Sequence, residues 1–229
     1  MKFSIIIPTL NEEKTIASCL FPLQALRSNC EIIIVDASGN RPLINYPHAH
    51  LADKIINSAK GRALQMNIGA SHATGDILIF LHADTTLPEH ALQLIERHLG
   101  NKQWGRFDIR LSGNHVMLKV IAWMMNRRSR LTGIATGDQV IFVRRETFSA
   151  VGQYPEIALM EDIALSKALQ KISPPLCLNA KVTSSGRRWE RYGIYRTILL
   201  MWSLRLRYFF GADPETLAAL YCRGQFWKP

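Results

Sequence analysis

Short apolar runs and helix-spaced segments alternate along the first hundred residues. Phe3–Ile7, Glu31–Val35, Lys54–Asn57 and Ile77–Leu81 have the length and β-branched content of buried strands. Between them, Glu12–Leu26 reads as a helix capped by Asn11, and Gly61–Ala73 has helical spacing through Ala63, Met66, Asn67 and Ala70. Leu87–Leu99 is a further helix with Pro88 in its first turn. This alternation predicts an α/β fold with a mostly parallel central sheet and crossover helices. The later pattern is less regular. Trp104–Leu111, Asp138–Val143 and Leu176–Val182 read as strands, and His115–Arg130, Asp162–Leu169, Arg191–Phe210 and Pro214–Cys222 as helices. No linker divides the chain, so residues 1–229 are expected to form a single domain. Residues 1–101 would be a Rossmann-like nucleotide-binding half, 102–190 an acceptor-side half and 191–229 an amphipathic helical extension.

Charge changes this picture in the later half. Residues 1–101 carry 8 basic and 9 acidic side chains, whereas residues 102–145 carry 9 and 2, and residues 181–229 carry 9 and 3. A basic surface suits a phosphorylated substrate, anionic lipid or nucleic acid, and equally a solvated face. No recognisable reading element for nucleic acid is present, so none is expected as a partner. The four cysteines, Cys19, Cys30, Cys177 and Cys222, form no CxxC pair, which argues against a zinc site or disulfide framework and for a cytoplasmic protein. The apolar stretch Ile198–Leu204 is short of the ~20 residues that span a bilayer. Flanked by Arg196, Arg205 and Arg207, it reads either as packed helix or as peripheral contact with an anionic membrane; Val120–Met125 reads likewise.

Candidate chemistry collects at strand ends. Pro8-Thr9-Leu10-Asn11-Glu12 follows the first strand, Asp36 the second and His82-Ala83-Asp84 the fourth, where open α/β sheets bind ligands. Taken singly, the first two read more simply as a turn with a cap and an Asx-turn into Gly39. Arg62 at a helix start makes an anion site, or a solvated turn. Asp84 offers hard oxygen to Mg²⁺ or Mn²⁺, and His82 is either a ligand or a packed side chain. No GxGxxG follows a strand and no GxxxxGK[ST] is present, which disfavours dinucleotide and P-loop binding.

The ordered set Ile5–Glu13, Ile34–Ser38, Asn67–Ala70 leading to Gly75-Asp76, His82-Ala83-Asp84 and Met160-Glu161-Asp162 resembles the family 2 glycosyltransferases over roughly residues 3–190. The runs Gly61–Asn67, Phe80–Thr85 and Ser185–Trp189 look like a small bacterial subgroup of that family. The resemblance implies a GT-A fold, a nucleotide-sugar donor and inversion at the anomeric carbon. It implies that Pro8, Thr9, Leu10, Asn11, Glu12 and Asp36 contact the nucleoside, with Arg62 near the base or diphosphate. Asp84 would hold Mn²⁺ or Mg²⁺, and Asp162, beside Glu161, would be the general base. His82 stands where the family usually carries an acid. Arg187-Arg188-Trp189 is similar to the Arg-Trp pair of processive members without its preceding Gln, and is expected at the diphosphate or acceptor. The acceptor stays open, a lipid-linked one among the options. A catalytically silent membrane-surface module with the same fold is the alternative.

Overall fold

The computed structural model describes residues 1–13, 15–39, 43–45 and 47–223. In chain order the elements are β1 (Phe3–Thr9), α1 (Ile16–Leu23), β2 (Cys30–Asp36), β3 (Lys54–Asn57), α2 (Arg62–Ser71), β4 (Ile77–Phe80), β5 (Thr85–Thr86) and α3 (Ala91–Leu99). They continue with β6 (Trp104–Leu111), α4 (Val116–Thr132), β7 (Ile141–Arg144), α5 (Arg145–Ala150), α6 (Glu161–Gln170), β8 (Leu176–Ser184), α7 (Arg187–Tyr192), α8 (Ile194–Phe209) and α9 (Pro214–Arg223). One eight-stranded sheet runs in the order β3-β2-β1-β4-β7-β6-β8-β5. The β3-β2-β1-β4 section is parallel throughout. Beyond it β7 is antiparallel to both neighbours, while β6 and β8 run parallel.

The parallel section explains its own sequence. Ile5, Ile6 and Ile7 are all fully buried because helices cover both faces, so the strand is continuously apolar instead of alternating. Ile5 and Ile7 pack with α1, α3 and α4 residues, and Ile6 with Met66 of α2 and Phe148 of α5. Each such side chain contributes about 1.5–3 kcal/mol of burial. Gly69 permits the α2 contact: a Cβ there would stand 2.4 Å from the Ile6 side chain.

Several boundaries differ from expectation for local reasons. Asn11 does not cap α1. It adopts a left-handed conformation (φ 55°), its N–H donates to Ser38 Oγ at 2.9 Å, and a turn through Glu12 delays the helix to Ile16, with Thr15 as its first flanking residue. Lys14, inside the expected helix, lies outside the described residues, as do 224–229 of the expected extension. The helix after Pro88 begins only at Ala91, because His90 is left-handed (φ 57°). Val140 (φ 52°) separates the Gly137–Gln139 turn from β7, so the expected strand from Asp138 starts at Ile141. Gly193 (φ 83°) breaks the expected long helix, leaving Arg191 on α7. No sequence pattern announces β5, a two-residue strand, yet its antiparallel pairing Thr85↔Ser184 brings the Asp84 turn to the end of β8.

Candidate active site

The parallel strands end in a polar cluster held mostly by its own hydrogen bonds. Asp36 is 2% exposed; its Oδ1 accepts from Thr9 Oγ1 (3.0 Å), Ser38 Oγ (2.6 Å) and the Ser38 N–H (3.3 Å). Its Oδ2 accepts from the Leu43 N–H at 3.0 Å. Gln65 of α2, also buried, donates to the carbonyls of Thr9 and Val35, both at 2.8 Å. Thr9 and Asp36 thus lock the ends of β1 and β2 to the following loop. The Asx-turn expected at Asp36 is present, and the carboxylate is occupied by protein donors. Leu10 and Asn11 stay exposed, Pro8 and Glu12 partly so.

The fourth strand end delivers two side chains to different partners. Asp84 Oδ2 lies 3.6 Å from Arg187 Nη2, both groups reaching solvent. His82 Nδ1 lies 3.4 Å from Asp138 Oδ1, and its ring covers Gly137 so closely that a Cβ there would sit 2.6 Å from Nε2. Burial pushes the Asp138 carboxyl up, but the His82 hydrogen bond, with the His82, Arg62 and Arg205 charges, outweighs that and holds it below its usual range. The expected ligand pair of His82 and Asp84 is therefore not assembled: His82 is spent on Asp138. Among the described residues no group of three or more His, Cys, Asp or Glu side chains gathers as a metal cage. Ala83 is buried between them, and Cys19 packs beneath the turn, its thiol pushed up to about 12 by burial and the Asp84 charge.

The α6 N-terminus brings the acids to the same region. Met160 is left-handed (φ 72°), a conformation that costs a bulky residue about 1–3 kcal/mol, and it turns the chain so that α6 opens on Glu161 and Asp162. Glu161 is buried, and its Oε1 lies 3.4 Å from Arg62 Nη1 at the start of α2. Burial and then the Asp162 charge raise its carboxyl, with Arg62 opposing. Asp162 Oδ2 accepts the Gly137 N–H at 2.9 Å and Oδ1 its neighbour Ile163 N–H at 2.7 Å. Each oxygen keeps a lone pair for a substrate proton.

A cavity of about 340 Å³ joins these groups. Its polar lining includes Arg62, His82, Asp138, Glu161 and Asp162; its apolar lining comes mainly from α4, α8 and the start of α6, with Trp189 of α7. Of the expected Arg187-Arg188-Trp189 group, Arg187 reaches Asp84 and Trp189 reaches the cavity. Arg188 does neither. Its guanidinium donates to the Tyr221 carbonyl and stacks 3.5 Å over the Tyr221 ring, tying α7 to α9. Two cavity arginines were not anticipated as site residues: Arg128 on α4 and Arg205 on α8. Their positions within basic amphipathic helices were the available signal.

The family described as Glycosyl transferase family 2 matches residues 4–151. The chain belongs to that family. A 4,4'-diaponeurosporenoate glycosyltransferase from Staphylococcus haemolyticus is 32% identical over 143 residues, covering 59% of this chain and 38% of the relative. An undecaprenyl-phosphate 4-deoxy-4-formamido-L-arabinose transferase from Sodalis glossinidius is 25% identical over 169 residues, 67% of this chain and 46% of the relative. The chain thus spans less than half the length of the curated relatives it matches. Among solved structures, a mannosyltransferase from Pyrobaculum calidifontis in complex with GDP-Man and Mn²⁺ superposes with a TM-score of 0.65 at 17% identity, covering 100% of this chain and 66% of that one. Staphylococcus aureus TarS 1-349 with UDP-GlcNAc gives 0.62 at 15% identity, over 98% and 72%. The α/β fold of this family 2 member is accordingly the GT-A type.

Proposed function

We propose that this chain is an inverting glycosyltransferase that moves a sugar from a nucleotide-sugar donor to an acceptor hydroxyl in the cavity. The observation that carries the reading is the meeting of Arg62, at the start of α2, with Glu161 and Asp162 at the start of α6, in a cavity beside the strand ends. UDP-GlcNAc and GDP-Man in the superposed structures support a nucleoside diphosphate sugar as donor. The nucleoside lies along Pro8–Glu12 and the rigid Asp36 loop. Arg62 and Arg187 face the diphosphate, where negative charge builds as the bond to the sugar breaks. At about 4 Å and an effective dielectric of ~20, each charge pair there is worth about 4 kcal/mol. Asp162 takes the acceptor proton as the acceptor oxygen bonds to the anomeric carbon and the diphosphate departs with the electron pair. Glu161, held by Arg62, positions the α6 terminus.

A divalent cation fits this donor set in one way. Asp84 is a half-buried hard-oxygen ligand, and Mg²⁺ or Mn²⁺ is commonly held by one or two carboxylates with substrate phosphates completing the shell. Bound there, the ion neutralises charge on the leaving diphosphate. His82 orients the Gly137-Asp138 turn, and through the Gly137 N–H it steadies Asp162.

A thermal-shift screen tests the reading. A nucleoside diphosphate with Mn²⁺ raises Tm, and Asp84→Ala removes the metal-dependent part of the rise. No shift with any common nucleoside diphosphate and metal overturns it.

A second reading, a catalytically silent membrane-surface module, is favoured by one feature. Tyr195, Leu199, Trp202, Leu206 and Phe209 form an exposed apolar stripe on α8. No helix among the described residues is long and apolar enough to cross a membrane. Peripheral attachment to an anionic leaflet on the cytoplasmic side is compatible with either reading, and with a lipid-linked acceptor such as the second relative's name describes. Vesicle binding without transfer from any donor of a broad panel selects the silent module.

A further inference from the structure

The cavity's three arginines and three carboxylates balance in number but do not all meet one another. Arg62 is paired with Glu161, and His82 with Asp138. Arg128 and Arg205 have no ion pair among the described residues, and Nε and Nη2 of Arg128 are buried with no hydrogen-bond partner. Asp162 lies nearby, but its oxygens accept backbone N–H groups instead of meeting either guanidinium. Burial, and then the neighbouring Arg205 charge, lowers Arg128 to about 10; burial also lowers Arg205, although Asp162 and Asp138 oppose it. Arg106 also acts on Arg128, and is itself ion-paired with Asp108, which it shares with Arg130. Two guanidiniums left unpaired in a partly desolvated cavity are costly in isolation. The planar guanidinium is also the side chain best shaped for phosphate and carboxylate.

The wall beside them is apolar. Met117, Ile121 and Met124 face it from α4, and Ile198, Met201 and Trp202 from α8. Met124 and Trp202 are themselves exposed, so the cavity reaches the surface between the two helices. Its volume falls in the range of small-molecule pockets.

We propose that this is the acceptor site and that it takes an anionic amphiphile: Arg128 and Arg205 hold a phosphate or carboxylate group, and an apolar body lies along α4 and α8. The word acceptor rests on the glycosyltransferase reading; the binding does not. The long flexible methionines suit an apolar body of variable shape, and the anion removes the unpaired state of the two guanidiniums.

Calorimetric titration with decyl phosphate, decanoate, decanol and inorganic phosphate tests this. Decyl phosphate or decanoate binds at least about tenfold more tightly than decanol, since a charged hydrogen bond is worth that much. Whichever of the two binds better names the headgroup. Inorganic phosphate binds more weakly than decyl phosphate. Arg128→Gln and Arg205→Gln each weaken the preferred amphiphile by about ten- to a hundredfold, with Arg128→Lys intermediate and unchanged melting curves confirming that the variants fold. Decanol binding as tightly as both anions overturns the proposal, as does inorganic phosphate binding as tightly as decyl phosphate. Loss of the nucleoside diphosphate thermal shift in both Gln variants also overturns it, by assigning the arginines to the donor. If amphiphile binding depends on the arginines while no nucleoside diphosphate binds at all, the glycosyltransferase reading falls and this site stands.

Discussion

The β1–β2 end of the sheet and the α4–α8 cavity are both polar, but they use polarity in opposite ways. At Asp36 four hydrogen bonds from Thr9, Ser38 and Leu43 saturate a buried carboxylate. At Arg128 two buried nitrogen atoms have no hydrogen-bond partner among the described residues, and Arg205, on the same cavity, has no ion pair among them. A saturated network is rigid and contributes to stability, whereas an unsaturated one spends stability on readiness for a ligand. On the proposed reading, the donor side is preformed and the acceptor side keeps two arginines free for a ligand. Substitutions should separate the two: on the acceptor side they abolish function and leave the fold intact, and on the donor side they loosen the fold.

The largest effect is expected at Asp162. Asp162→Asn keeps an oxygen for one of the two backbone N–H groups that Asp162 accepts and gives up the other, so the α6 terminus should largely hold its shape while the base is lost. Transfer kinetics should fall by about 10²–10⁴-fold, with the nucleoside diphosphate thermal shift retained. Turnover close to that of the parent would remove Asp162 as base. On the donor side, Asp36→Ala strands the Thr9 and Ser38 donors and the Leu43 N–H. Denaturant unfolding should show a loss of about 2–4 kcal/mol, and nucleotide binding should weaken only through the loosened loop. If Asp36→Ala is as stable as the parent but cannot bind nucleoside diphosphate, the comparison breaks, and Asp36 is a direct nucleoside ligand.

How much of this was legible in the sequence follows the same division. The parallel section is written in uninterrupted apolar runs such as Ile5-Ile6-Ile7 and Ile32-Ile33-Ile34-Val35, and a strand buried on both faces leaves no ambiguity of face. Asp162 was legible only through the family resemblance, whereas Asp36 and Asp84 could be picked out because each stands where an apolar run stops. Their partners could not. That His82 would turn to Asp138 depends on Gly137, 55 positions later, leaving room for the ring. That Asp84 would meet Arg187 depends on the two-residue strand β5, too short to have a period. Arg128 and Arg205 look in sequence like the solvated face of amphipathic helices. Only the packing of α4 and α8 around one cavity distinguishes them from Arg127, which instead sits 6.0 Å over the Trp123 ring.

The smallest expected effect lies at the opposite end of β2 and sharpens the contrast through pH. Burial pushes the Glu31 carboxyl up, but hydrogen bonds from the Ser4 hydroxyl, the Thr74 N–H, Lys54 and the Thr74 hydroxyl outweigh it and hold it down at about 2, against an ordinary 4.5. A carboxylate whose folded value is depressed stabilises the fold fully above the unfolded value, and that stability is lost as pH falls. The window for Glu31 is therefore from about 4.5 down to about 2. Because the group is partly solvated, the amount lost is roughly 1–3 kcal/mol. Unfolding free energy measured across this window should decline more steeply in the parent than in Glu31→Gln, which should start lower at neutral pH and converge with the parent near pH 2. Parallel curves would mean that Ser4, Lys54 and Thr74 contribute no net stabilisation through Glu31, and that hydrogen-bond saturation on the sheet side is geometric without being energetic.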